Sequence, residues 1–92
     1  TALKILNIAN NEIETIDLSN NTKLEYLELN DNKITGTIDV SNCTNLLEFY
    51  ALFNNNIACI KVNQTQLDAI NGVNVPENFN WQLPISVSLD CN

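Results

Sequence analysis

The chain carries a spaced pattern of apolar residues and asparagine that recurs at a nearly constant interval. In Leu24-Glu-Tyr-Leu27-Glu-Leu29-Asn-Asp-Asn32 the apolar positions alternate with polar ones around Leu27, and an asparagine follows. About 21 residues upstream Leu3, Leu6, Ile8 and Asn11 hold the same places, and about 22 downstream Leu46, Phe49, Ala51 and Asn54 hold them again. Each unit predicts a short strand with one face turned inward. A second apolar set follows each strand: Ile13, Ile16 and Leu18, then Ile34, Ile38 and Val40, then Ile57, Ile60 and Val62. The alternating stretches Ile16–Ser19, Ile38–Ser41 and Ile60–Asn63 are expected to be short extended pieces on the opposite side of one core. Thr35-Gly36-Thr37 is one residue longer than Glu14-Thr15, so Gly36 is expected to absorb a bulge. In the third unit the extra residue lies within Asn54-Asn55-Asn56.

After Val62 the period ends. Thr65 is placed to cap a helical turn carrying Leu67 and Ile70 on one side, and Gly72 to end it in a left-handed conformation. Pro76 enforces extended or turn geometry. Phe79 and Trp81 are expected to lay their rings over the last unit, and Ile85-Ser-Val-Ser-Leu89 alternates like one closing strand.

The motif L-x-x-L-x-L-x-x-N, with its period and residue types, resembles the leucine-rich repeat family across consecutive units. The resemblance implies an α/β-type solenoid, mostly β. It would be a right-handed coil with a parallel concave sheet, short convex extended segments and a C-terminal cap. Residues 1–62 would form three coils, at about 1–23, 24–45 and 46–62, and residues 63–92 the cap. The start at Thr1-Ala2-Leu3 falls in the turn that precedes a strand, so the chain reads as a fragment of a longer one. An edge of Leu3, Leu6, Ile8, Ile13 and Ile16 would then be open where a polar cap is required.

Asn11, Asn32 and Asn54 stand where each strand turns back across the core and backbone groups lose their ladder partners. A buried amide offers both a donor and an acceptor, so stacked copies can satisfy neighbouring loops, and these three are read as a structural ladder. Asp17 and Asp39 would stack on the convex side. Lys61 takes the third place in their column, which fits an exposed row better than a cation site. The Ser-Asn-Asn-Thr and Ser-Asn-Cys-Thr runs are turn formers whose side chains bond local backbone.

Composition narrows the partners. A formal net charge of −7 with four basic residues disfavours nucleic acid and anionic membranes, both of which need clustered cations. No apolar run is long enough to insert into a membrane, and 45% hydrophobic residues with two Gly and two Pro argue for a globular domain. Ninety-two residues bury a small core, so extra staples are expected.

Three cysteines occur. A Cys59–Cys91 bond would pin the terminal segment to the last unit and close a loop of about 33 residues, worth about 3–4 kcal/mol in the chain-entropy model. Asn54-Asn-Asn-Ile-Ala-Cys59-Ile-Lys-Val62, followed by Asn80-Trp81 and Leu89-Asp-Cys91, is similar to the C-terminal cap of secreted leucine-rich repeat proteins of Bacteroidetes-type bacteria. The resemblance implies export, in which such proteins often continue into a sorting segment. Cys43 fits a buried free thiol better than a partner for a missing upstream repeat. With no His and no C-x-x-C, neither a zinc site nor a base-activated cysteine nucleophile is expected, and no metal or cofactor is assigned.

Residues between the inward leucines point outward onto a shared concave sheet. The candidate binding residues are Ile5, Asn7, Tyr26, Glu28, Glu48, Tyr50 and Phe53. Aromatics here supply contact area at low entropic cost, and Glu28, Asp31 and Glu48 favour a protein partner with a basic surface. A glycan-binding or adhesive face would instead stack sugars on Tyr26 and Tyr50 beside Asn7, Asn10 and Asn30. A third reading is a purely structural segment beside a functional domain. Catalysis is not expected, since a flat repeat face without His offers neither a paired-acid cleft nor an activated nucleophile. The expected role is a non-catalytic recognition module of a secreted or cell-surface bacterial protein.

Overall fold

The computed structural model describes residues 3–91; the turn expected at Thr1 and Ala2 lies outside them. Its elements in chain order are β1 (Ile5–Asn7), β2 (Tyr26–Glu28), β3 (Thr35–Asp39), β4 (Glu48–Tyr50), β5 (Asn56–Lys61), α1 (Gln64–Ile70), β6 (Asn80–Gln82) and β7 (Val87–Ser88). They form two open sheets, one ordered β1-β2-β4-β6 and the other β3-β5-β7, and every pairing is parallel. The fold is mostly β.

The apolar spacing accounts for the first sheet. Leu6 lies beside Leu27, Leu27 beside Phe49 and Phe49 beside Trp81, so one inward residue per strand forms a continuous row. Ile38 of β3 and Ile60 of β5 form the facing row. Between the sheets Leu24, Leu27, Leu29, Ile34, Val40, Phe49 and Val62 are buried in one core. At the β1 edge Leu6, Ile8, Ile13 and Ile16 pack against that core but stay partly exposed, because each has a neighbouring strand or loop on one side only.

Asn32 and Asn54 tie successive loops together. The Asn54 amide donates to Leu29 O at 2.9 Å and Ala51 O at 3.1 Å, and its oxygen accepts from Ile34 N–H at 3.2 Å. Asn32 repeats this one unit earlier, donating to Ile8 O at 3.1 Å and Leu29 O at 3.0 Å and accepting from Ile13 N–H at 3.1 Å. Asn11 differs: it is exposed and donates to Ile8 O and Ala9 O within its own loop.

Four local expectations are corrected. Ile16–Ser19 is not a strand. Lys33 N–H and Thr35 N–H bond to Ile13 O and Glu14 O, but Gly36 follows at φ 73° and the pairing does not continue as a ladder. The strands of the second sheet start earlier than expected, at Thr35 and Asn56, and the pairing slips opposite Gly36 so that Ala58 has no counterpart. The helix is capped by Asn63, not Thr65. Gln66 stands three residues after Asn63, and the two side chains close a reciprocal capping box with each other's backbone. Gln66 is buried, and its amide also donates to Val40 O and Cys43 O, so it, rather than Ile70, fastens the helix to the preceding loop. Finally, Trp81 is not only a lid: it sits in β6, a fourth strand of the first sheet, edge-on to Phe49 at 5.2 Å with Phe79 stacked on its outer face at 5.3 Å.

Gly72 has φ 89° and follows the helix end, its N–H bonded to Ala69 O. Cys59 and Cys91 form a disulfide with Cα atoms 5.8 Å apart, joining β5 to the segment after β7. Cys43 is free and buried, and burial pushes its thiol pKa up.

Candidate functional site

The outer face of the first sheet follows from its register. Inward Leu6, Leu27, Phe49 and Trp81 force their neighbours outward, in two lateral rows. One row reads Ile5, Tyr26, Glu48, Asn80 and the other Asn7, Glu28, Tyr50, Gln82. At the centre Tyr26, Glu28, Glu48 and Tyr50 occupy a square in which aromatic and acid alternate both along and across the strands.

The square is bonded internally. The Tyr26 hydroxyl donates to Glu28 Oε1, and the Tyr50 hydroxyl donates to Glu48 Oε1 at 2.8 Å. Asn80 Nδ2 donates to the Tyr50 oxygen at 3.3 Å, which makes a short chain ending on the Glu48 carboxylate. The two rings are tilted at 56° with centroids 5.7 Å apart. These contacts leave all four side chains half-buried, whereas Ile5, Asn7, Asn80 and Gln82 around them are exposed. Among the described residues no Lys pairs with Glu28 or Glu48; the one ion pair, Lys33 with Glu12, lies elsewhere and is exposed.

The hydroxyl bonds to carboxylates set the tyrosine chemistry. The Glu28 carboxylate, then burial, then the neighbouring negative charges push the Tyr26 pKa up from 10.0 to about 12. Tyr50 is raised in the same way, first by its bond to Glu48. Since a raised phenol pKa favours the neutral form in the folded chain, this stabilisation is present below pH 10 and lost as pH rises towards 12. An ultraviolet phenolate titration should therefore show two late transitions, with Glu28→Gln bringing the later one down. Two phenols ionising at the ordinary value would contradict the bonded square.

Phe53 stands apart from this cluster. It is 66% exposed and, among the described residues, stacks on neither tyrosine. Its φ of 61° matches Asn10 at 59° and Asp31 at 60°, the residues that leave β1 and β2 at the same point. Asn and Asp tolerate this left-handed region, whereas a bulky side chain there is strained by about 1 kcal/mol or more. Of the other polar neighbours, Asn7 Oδ1 accepts from Ala9 N–H at 3.2 Å and Asn30 Oδ1 from Leu52 N–H at 2.7 Å, so both acceptors serve the local backbone.

Asn80 and Gln82 escape sequence reasoning because β6 lacks the L-x-x-L-x-L motif and follows the helix. The alternation Phe79-Asn-Trp81-Gln-Leu83 is the signal that points to them.

On the other sheet Asp39 lies beside Lys61, and the Asp17 and Asp39 carboxylates each accept from the backbone N–H two residues on at 2.9 Å. Among the described residues no three His, Cys, Asp or Glu side chains are gathered as for a metal ion. An open cleft of about 370 Å³ lies between α1 and the segment from β6 to β7, lined by apolar residues such as Leu67, Trp81, Leu83 and Val87 together with Asn71 and Ser86. No helix among the described residues is long and apolar enough to cross a membrane. No protein-family model, no curated protein and no solved structure matches this chain.

Proposed function

We propose that this chain is a non-catalytic leucine-rich repeat recognition module of a secreted or cell-surface bacterial protein, binding a protein partner through the outer face of its four-stranded sheet. The observation that carries the reading is the square of Tyr26, Glu28, Glu48 and Tyr50, a polar and aromatic group held in fixed geometry on a sheet face whose flanking Ile5, Asn7, Asn80 and Gln82 are exposed. The in-register parallel strands and the reach of Asn32 and Asn54 to the preceding loop support the repeat assignment. The Cys59–Cys91 disulfide supports an oxidising, extracellular setting. Phe53 adds to the case, since an exposed aromatic kept in a strained conformation is a feature that contact surfaces use. A protein partner is preferred to a glycan because the side-chain oxygens of Asn7 and Asn30 already accept from backbone N–H groups.

The test is to select ligands from a random peptide library on the disulfide-intact protein and measure their binding to Tyr50→Ala. Loss of at least about tenfold in affinity is expected, with the melting temperature within a few degrees of the parent because Tyr50 is not in the core. Ligands that bind Tyr50→Ala as well as the parent would overturn the assignment of this face.

A further inference from the structure

We infer that the square on the outer sheet face receives an arginine side chain of the partner, its guanidinium lying against a tyrosine ring and bonding the acid beside it. The inference rests on the recognition reading above and adds the chemistry of the group recognised.

The hydrogen-bond directions carry the first step. Both phenol protons are spent on carboxylates, and Asn80 supplies the Tyr50 oxygen with a donor. What the centre of the face presents outward is therefore acceptors: the remaining carboxylate oxygens of Glu28 and Glu48 and the phenol oxygens. A ligand that fits must be rich in donors and poor in acceptors, which excludes carboxylates and phosphates and disfavours neutral hydroxylated groups.

Charge carries the second step. Two carboxylates lie diagonally across the square, and among the described residues neither has a basic partner. The chain contains no Arg, and its Lys residues are Lys4, Lys23, Lys33 and Lys61, none of them on β2, β4 or β6. A cation that pairs with them would come from outside the described residues.

Shape selects guanidinium over ammonium. Across the strands Tyr26 is the lateral neighbour of Glu48, and Glu28 that of Tyr50, so each ring has an acid beside it that is bonded to the other ring. A flat cation resting on one ring can place its N–H groups against that acid in the same plane, combining stacking with a charge-assisted bond. The ring tilt of 56° leaves the pair open rather than closed face to face. A lysine ammonium, being a compact and strongly hydrated point charge, can reach a carboxylate but cannot use the ring face in the same way.

The experiment is a chemical-shift titration of the disulfide-intact, isotope-labelled protein with acetyl-Gly-Arg-Gly-amide and its lysine and citrulline counterparts. The arginine probe is expected to shift Tyr26, Glu28, Glu48, Tyr50 and Asn80, to bind at least about fivefold tighter than the lysine probe, and to lose about fivefold on Glu48→Gln. Citrulline keeps the shape without the charge and is expected not to saturate. Equal binding of the arginine and lysine probes would overturn the guanidinium assignment, as would arginine shifts located elsewhere or absent. Peptides selected on the face that lose binding in Tyr50→Ala but contain no arginine would also overturn it, and would leave the recognition reading standing.

Discussion

Replacing Asn54 with alanine is expected to lower the unfolding free energy by about 3 kcal/mol, a larger cost than an ordinary polar substitution. Asn54 is 2% exposed, and its amide bridges two consecutive loops. Its removal strands Ile34 N–H and Ala51 O inside the core, at about 1–3 kcal/mol for each buried group left unpaired. Leu29 O keeps its bond to Asn32 and contributes less. Asn11→Ala is the control. Asn11 has the same place in the sequence pattern, but it is exposed and bonds only its own loop, so a loss below about 1 kcal/mol is expected. Urea unfolding of both variants compares the two directly. Equal losses would mean that burial and reach to the neighbouring loop are not what make these asparagines matter.

Removing the Cys59–Cys91 bond, by Ser at both positions, is expected to cost about 3–4 kcal/mol through the freedom restored to the unfolded chain. The bond spans a sequence separation of 32 residues. The folded side of the balance makes the same point. β7 has two residues and is held to β5 by the Ile60 and Lys61 pairings and by Val62 N–H bonded to Ser88 O at 2.9 Å. A two-residue strand at a sheet edge has little else to keep it in place. Thermal unfolding of the double variant should therefore show a clearly lower midpoint, and hydrogen exchange should show β7 opening before β4. An unchanged midpoint would show that the packing of Trp81 and Gln66 already suffices to hold the C-terminal segment.

The strands of the first three units and their side-by-side order were legible, because inward leucines at a fixed interval leave few other ways to bury one face. The second sheet was legible at Ile38 and Ile60, but not in its extent, since the residues before them follow a bulge rather than an alternation. Two features were hidden for different reasons. The helix start was misread at Thr65, because the reciprocal pair of Asn63 with Gln66 three residues on, which sets the cap, was not recognised. The strand β6 was hidden because a helix and a turn displace it from the period: Trp81 pairs with Phe49 across a longer stretch of chain than Phe49 does with Leu27. At the candidate site the outward positions could be read from alternation. The bonds among them could not, since whether a phenol meets the acid on its own strand or on the next one is set by rotamers.

The disulfide and the exposed turn it encloses have a joint consequence for a chain that meets proteases. Residues 70–78 are all exposed and lie between Cys59 and Cys91. A single cut there would open the backbone yet release nothing, because the two pieces stay covalently joined and β6 and β7 keep their places in the sheets. Damage at this exposed stretch would thus leave Asn80 beside Tyr50 and the proposed recognition face whole.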